Sequence, residues 1–139
     1  MGKKESSILS NNNYTYKKVF KFFLRFLHNI KLHHWNTFSH ARHEALDTLH
    51  KEVSALSDSF LEIYISHYKR PIEVLKIVDG LNIKFRNMTE KSFLEYLDTS
   101  FSYLDGMKHT VLSKHPDLMN ILDDILSAIT QTKYRFTLE

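Results

Sequence analysis

The stretch from residue 39 to residue 68 constrains the fold most strongly, because its apolar residues recur at steps of three and four without a break. The recurring positions are Leu46, Leu49, Val53, Leu56, Phe60 and Ile63. Alternating steps of three and four place side chains on one face of an α-helix. The sequence therefore predicts a long second helix over residues 39–68, with an apolar seam that faces the core.

Three other segments share this helical periodicity, and a short connecting helix is predicted between the second and third long helices. The predicted bounds are 14–35 for helix one, 72–78 for the connecting helix, about 90 to before 115 for helix three, and 116 to 134 or 136 for helix four. Only three Gly and two Pro occur in 139 residues, too few for the many tight turns of a sandwich or barrel. We expect an all-α fold, a ferritin-like four-helix bundle with a long middle connection.

The domain organisation is predicted to be simple. Residues 1–13 are polar and aperiodic and are interpreted as a flexible N-terminal tail, and residues 14–139 as one domain. No apolar run approaches the roughly 20 residues that a membrane-spanning helix needs. The chain has no cysteine, so any metal must be held by nitrogen and oxygen ligands. These features predict a cytoplasmic protein, or a virion-associated one in a viral setting, without integral membrane contact.

Four polar residues lie beside the apolar seam of helix two. They are His43, Asp47, Asp58 and Glu62, at spacings of 4, 11 and 4 residues. Eleven residues are close to three whole turns, so the four side chains share one flank of the helix. At about 1.5 Å per residue, however, the two pairs are roughly 16 Å apart along the axis. That distance is far beyond metal–ligand bonds of about 2 Å, so one helix cannot close a metal site alone.

A second copy of the chain would complete the set. If two copies of helix two pack antiparallel about a twofold axis, position i faces position 105 minus i, because both outer and inner pairs share a midpoint near 52.5. His43 and Asp47 of one copy then meet Asp58 and Glu62 of the other, and small Ser54 lies close to the axis. This predicts a homodimer with two equivalent sites, whose ligands suit iron or manganese and could also hold zinc.

The segments HHWN (33–36), RHEALD (42–47) and DSFLE (58–62) resemble the Dps-type miniferritins of the ferritin-like superfamily. The resemblance covers the first two helices, and a short ferritin-like group in large DNA viruses and phages is similar too. It implies a site at a twofold interface, His34 as a further ligand, and Trp35 as a nearby redox-active aromatic. The implied activity is oxidation of Fe(II), preferentially by peroxide rather than oxygen, with storage in a twelve-subunit shell.

The turn after Trp35 decides whether His34 can reach this site. Nine residues separate His34 from His43, and in one continuous helix the two would stand about 13 Å apart. The sequence therefore requires a tight break over residues 36–39, and His33 or His40 are alternatives for the further ligand. The other histidines, namely His28, His50, His67, His109 and His115, are interpreted as surface or packing residues.

The sequence is compatible with three functions. The first is a Dps-like ferroxidase that protects against oxidative damage, with His34, His43, Asp47, Asp58 and Glu62 as iron ligands and Trp35 as neighbour. The second is a non-catalytic structural or interaction protein, viral in one version, that retains the helical dimer. The third is a DNA-coating oligomer, which a pI near 9.0 and Lys3 and Lys4 permit but no clustered basic patch indicates.

Overall fold

The computed structural model describes residues 13–68, 73–85 and 87–138, and within these ranges the chain is all-helical. The elements are α1 (Tyr16–Asn36), α2 (His40–Tyr68), α3 (Val74–Val78), α4 (Glu90–Met107), a 3-10 turn (Val111–Lys114) and α5 (Pro116–Phe136). The all-α prediction is confirmed. None of the described helices is long and apolar enough to cross a membrane.

Most predicted helix boundaries agree with the structure to within two residues. The exception is the third long helix, which ends at Met107 instead of continuing towards residue 115. There Thr110 caps the 3-10 turn by accepting a hydrogen bond from the Leu112 amide at 3.2 Å, and the buried Leu112 side chain anchors that turn in the core. Of the predicted tail only Asn13 is described, and residue 72, the first residue of the predicted connecting helix, lies outside the described ranges.

Local capping chemistry determines where the helices begin. The Thr15 hydroxyl accepts from the Lys18 amide at the start of α1. Thr89 and Ser92 form a reciprocal capping box at the start of α4, which satisfies two amides that the helix itself cannot. Pro116 occupies the first turn of α5, where a missing amide hydrogen costs nothing.

Each long helix packs antiparallel against two neighbours. The α1 helix contacts α2 through Phe23 and Phe60, at 5.2 Å between ring centroids, and contacts α4 on its other side. The contacts that define the other pairs are Phe26–Tyr96 for α1 and α4, Tyr68–His115 and Arg42–Phe136 for the two ends of α2 and α5, and Phe93–Phe136 for α4 and α5. The four long helices therefore close a ring in the order α1, α2, α5, α4.

This order makes a long crossover necessary. Because α2 and α4 are both antiparallel to α1, they run parallel to each other, and the chain between Tyr68 and Glu90 must return along the bundle. The 18 residues of α4 correspond to about 27 Å of axial length. The returning segment packs on α1, where Phe85 contacts His28 at 5.7 Å and α3 also lies against this helix.

The core is rich in aromatic residues, and the face of α2 that is buried in it changes gradually along the helix. Leu46, Leu49, Val53 and Phe60 of the predicted seam are fully buried, whereas Leu56 and Ile63 are only half-buried. Ser57 and Tyr64 are buried in their stead. A helix of 3.6 residues per turn drifts relative to a seven-residue apolar repeat, so over 29 residues the buried face moves to neighbouring positions.

Candidate functional site

The turn between α1 and α2 has the break that the sequence requires. α1 ends at Asn36 and α2 begins at His40. The Thr37 amide closes the last turn of α1 on the His33 carbonyl at 2.9 Å. The Ser39 hydroxyl accepts from the Arg42 amide at 3.1 Å and thereby caps α2. Three residues therefore suffice to reverse the chain without a glycine.

This reversal brings His34 and His43 into direct contact. Their rings stack with centroids 3.9 Å apart and planes 20° from parallel. Each ring donates from Nδ1 to the backbone carbonyl of the other residue, at 2.8 Å in both directions. The His34 side chain is buried, whereas His43 is exposed, so the pair sits at the edge of the protein surface.

The backbone hydrogen bonds fix the chemistry of the two rings. A carbonyl oxygen can only accept, so Nδ1 of each neutral ring must carry the proton. Nε2 of each ring then presents a lone pair, and within the described ranges neither Nε2 has a hydrogen-bond partner. Histidines that ligate metals use this same arrangement, in which the second ring nitrogen is bound to a carbonyl or carboxylate. The pair is therefore preset to offer two nitrogen ligands.

The alternatives to His34 lie elsewhere. His33 stacks on Phe93 at 4.2 Å between ring centroids, and its Nε2 lies 3.7 Å from a carboxylate oxygen of Glu90. His40 is exposed and pairs with Glu44 at 3.4 Å. Of the three histidines considered for the further ligand, His34 is the one that contacts His43.

A charged pair stabilises the end of the bundle behind this turn. Arg42 Nε lies 2.8 Å from Glu90 Oε2, and the Arg42 guanidinium also covers the Phe136 ring at 4.3 Å. The Thr37 hydroxyl donates to the other Glu90 oxygen at 2.8 Å. These contacts connect the turn to the first residue of α4 and to the end of α5. They therefore help to keep the His34–His43 pair in position.

Asp47 lies one turn beyond His43 on α2 and is half-buried. Its carboxylate forms an ion pair with Lys51 at 3.2 Å. The hydrogen bond from Lys51 lowers the pKa of Asp47, and the nearby positive charges of Lys51 and Lys31 lower it further. The carboxylate is therefore ionised and ready to bind a cation, which would have to displace Lys51.

Asp58 and Glu62 are exposed on the same continuous helix. Asp58 lines an open groove of about 600 Å³ between α1 and α2, together with Leu27, His50 and Ser54. The separation of roughly 16 Å expected from the helix rise applies, because α2 is unbroken from His40 to Tyr68. Within one chain, the five predicted ligands do not form a cluster of three or more among the described residues.

Lys31 and His50 also belong to this surface, although the sequence did not single them out. Lys31 Nζ lies 5.8 Å from the centre of the Trp35 ring, and burial and then the Lys31 charge lower the pKa of His50. Helix spacing could have identified both residues, because side chains three or four positions apart lie on the same face of a helix. Lys31 precedes Trp35 by four residues, and His50 follows Asp47 by three. Trp35 therefore shares the outer face of α1 and α2, hereafter the α1–α2 outer face, with the candidate ligands.

Three large apolar side chains are exposed close to the turn. Trp35 is 67% exposed and Phe38 is fully exposed, and Leu32 is 40% exposed. Trp35 is the last residue of the predicted helix one, and its side chain points outward. Exposed aromatic side chains grouped in one region are typical of a surface that another molecule covers.

His33 gives the stability of this region a pH dependence. Burial lowers the pKa of His33 from 6.5. His33 therefore binds a proton more readily in the unfolded chain than in the folded chain. We expect the free energy of unfolding to fall as pH drops through 6.5, and to be unaffected by this group above that value. Chemical denaturation across this pH range should show a shallower decline for His33→Phe, which retains the stack on Phe93. An equal decline in both proteins would exclude His33 as a contributor.

The structure is that of an all-helical protein with a stacked pair of histidines at the edge of its surface. Residues 34–136 match the model of a protein family described as a family of unknown function, DUF5856. Since the match covers most of the chain, this protein belongs to that family. No curated protein and no solved structure matched the chain.

Proposed function

We propose that this protein is a ferritin-like, Dps-type oxidase of Fe(II), with an active site shared between two subunits. The observation that carries the proposal is the His34–His43 pair, in which both rings are oriented by backbone carbonyls and leave Nε2 as the ligand atom. Asp47, one turn away on the same face, adds an ionised carboxylate. Two imidazoles at the protein surface, with a carboxylate one turn further along α2, supply ligand types suited to iron.

The helix arrangement supports the ferritin-like part of the proposal. Ferritin-like bundles differ from simple up-down-up-down bundles in having a long crossover connection. The parallel direction of α2 and α4 requires such a crossover here, and α3 lies within it. The topology therefore agrees with the fold that the HHWN, RHEALD and DSFLE segments suggest.

The second half-site comes from another copy of the chain. With two α2 helices antiparallel about a twofold axis, Asp58 and Glu62 of one copy face Asp47 and His43 of the other. The groove beside Ser54 and Asp58 lies at the centre of this contact, and Leu27 supplies apolar surface there. The exposure of Asp58 and Glu62 in the single chain is what an intersubunit ligand pair requires.

Each residue has a distinct role in the proposed reaction. His34 and His43 bind Fe(II) as a substrate through Nε2, and Asp47, Asp58 and Glu62 supply negative charge that favours the ferric product. One hydrogen peroxide molecule accepts one electron from each of two Fe(II) ions, its O–O bond breaks, and two hydroxide ions are released. Trp35, on the same face, would limit the escape of radicals. The same ligands could also bind manganese or zinc.

The test is Fe(II) oxidation measured by ferric absorbance after addition of peroxide or oxygen. We expect Asp58→Ala to slow the reaction on the order of 100-fold, because a ligand to the metal is lost. Glu44→Ala is the matched control, since Glu44 is an exposed acid of the same helix that pairs with His40, and it should retain the wild-type rate. Equally slow oxidation in wild type and Asp58→Ala would refute the ferroxidase proposal.

A second candidate function has its own support. The exposed Leu32, Trp35 and Phe38 side chains suit an interaction surface, and Lys51 already neutralises Asp47. These contacts favour a structural or interaction protein that retains the helical dimer without oxidising iron. Metal content and native mass separate the two functions: a metal-free dimer supports this candidate, and an iron-loaded oligomer supports the ferroxidase.

A further inference from the structure

A second group of metal-binding side chains lies at the opposite end of the bundle from the His34–His43 pair. It consists of His67 in the last turn of α2, His115 just before α5, and Asp117 in the first turn of α5. One ligand atom from each residue lies within 4.8 Å of the other two. Because 24 residues of α2 separate His43 from His67, the two regions are about 36 Å apart.

The distances within this group match those between ligands of one metal ion. His67 Nε2 lies 3.1 Å from one carboxylate oxygen of Asp117 and 3.3 Å from the other. Two ligands bound tetrahedrally at about 2.0–2.1 Å are roughly 3.3 Å apart. The His67 and His115 rings stack with centroids 3.8 Å apart, so the second imidazole is held beside the first.

Neighbouring groups orient these side chains. His115 Nε2 forms a 2.8 Å hydrogen bond with the hydroxyl of Tyr68, which is almost completely buried. The Leu118 amide donates to Asp117 Oδ1 at 2.8 Å, so the carboxylate is fixed at the start of α5. Hydrogen bonds of this kind orient metal ligands and contribute strongly to affinity.

Two of the three side chains are accessible to solvent. Side chains of His67 and Asp117 are 32% and 49% exposed, so water can reach the centre of the group. The His67 ring and the Leu118 amide lower the pKa of Asp117, with the His67 hydrogen bond as the largest cause. An ionised carboxylate with two imidazoles is a common ligand set for zinc and for other divalent transition metals.

We propose that His67, His115 and Asp117 form a second binding site, which takes one divalent transition-metal ion such as Zn²⁺ and keeps open positions for water. The ion joins the end of α2 to the start of α5. These two elements are distant in sequence and are antiparallel neighbours in the bundle. Metal binding to the folded chain therefore raises the thermal stability in proportion to the logarithm of the free metal concentration. The site is independent of iron oxidation at the α1–α2 outer face.

The test is calorimetric titration of the chelator-treated full chain with Zn²⁺, combined with thermal unfolding. We expect His67→Gln and Asp117→Asn each to lose one bound Zn²⁺ per chain and to lose the part of the Zn²⁺-dependent rise in Tm that this site provides. Asp117→Asn keeps an oxygen that can accept from the Leu118 amide, so its fold should be retained. Tyr68→Phe should weaken binding on the order of tenfold.

His109→Ala is the matched control. His109 is exposed and lies at the same end of the bundle, just after α4, and its substitution should change neither the Zn²⁺ stoichiometry nor Tm. The rate of Fe(II) oxidation should be the same in wild type and Asp117→Asn. Unchanged Zn²⁺ stoichiometry and affinity in both His67→Gln and Asp117→Asn would overturn the proposal.

Discussion

Mixing two inactive variants is expected to restore Fe(II) oxidation to about a quarter of the wild-type rate. One variant carries His43→Ala with Asp47→Ala, and the other carries Asp58→Ala with Glu62→Ala. Each homodimer lacks one half of both sites and should be inactive. In a heterodimer, the intact His43 and Asp47 of one chain face the intact Asp58 and Glu62 of the other, so one of two sites is complete.

The expected quarter of the wild-type rate follows from random association of the two variants. When equal amounts of the two variants are unfolded and refolded together, about half of the dimers are heterodimers, and each has one of two sites. The measurement is the initial rate of ferric absorbance, with each variant refolded alone as the control. A mixture no faster than the variants alone, in a preparation shown by native mass to contain heterodimers, would exclude the intersubunit site.

The second large effect is expected from Ser54→Arg. Under the twofold pairing, position 54 faces Lys51 of the other copy, so the substitution adds a large cation where two helices and a like charge approach. We expect the dimer dissociation constant to rise about 30-fold to 1,000-fold, which corresponds to roughly 2–4 kcal/mol. Because Ser54 is exposed in the single chain, the fold of each chain should not change.

Ser59→Arg is the control for this substitution. Ser59 is an exposed serine of the same helix, five residues further on and away from the predicted twofold contact. The sedimentation coefficient and the rate of Fe(II) oxidation should both fall for Ser54→Arg. Both should remain at wild-type values for Ser59→Arg. A Ser54→Arg protein that is monomeric but oxidises Fe(II) at the wild-type rate would show that a single chain contains the whole site.

Much of the helical architecture could be predicted because helices depend on local information. The apolar periodicity of α2 predicted a helix from residue 39 to residue 68, and the structure has one from His40 to Tyr68. The third long helix was predicted too long, because nothing in its periodicity indicated that Leu112 would be buried in a separate 3-10 turn. The core face of α2 was only partly predicted, since Ser57 is buried by neighbours and not by its own hydrophobicity.

The candidate iron site was predicted from spacing on one helix and from resemblance. The four polar residues of α2 lie outside the core, as predicted, and the required break after Asn36 is present. Whether these residues bind iron stays a prediction. The choice among His33, His34 and His40 could not be made from the sequence, because it depends on the exact path of three residues in the turn.

By itself the sequence determined that the chain forms long helices, most of the core face of α2 and the separation of the two halves of the candidate site. Rise and periodicity are properties of a single helix. Only the tertiary structure decided which histidine contacts His43, since the mutual backbone hydrogen bonds exist once α1 and α2 are folded back on each other. Likewise, it alone brought His67 to His115 and Asp117. These residues are 48 and 50 positions apart, and only the antiparallel packing of α2 and α5 makes them neighbours.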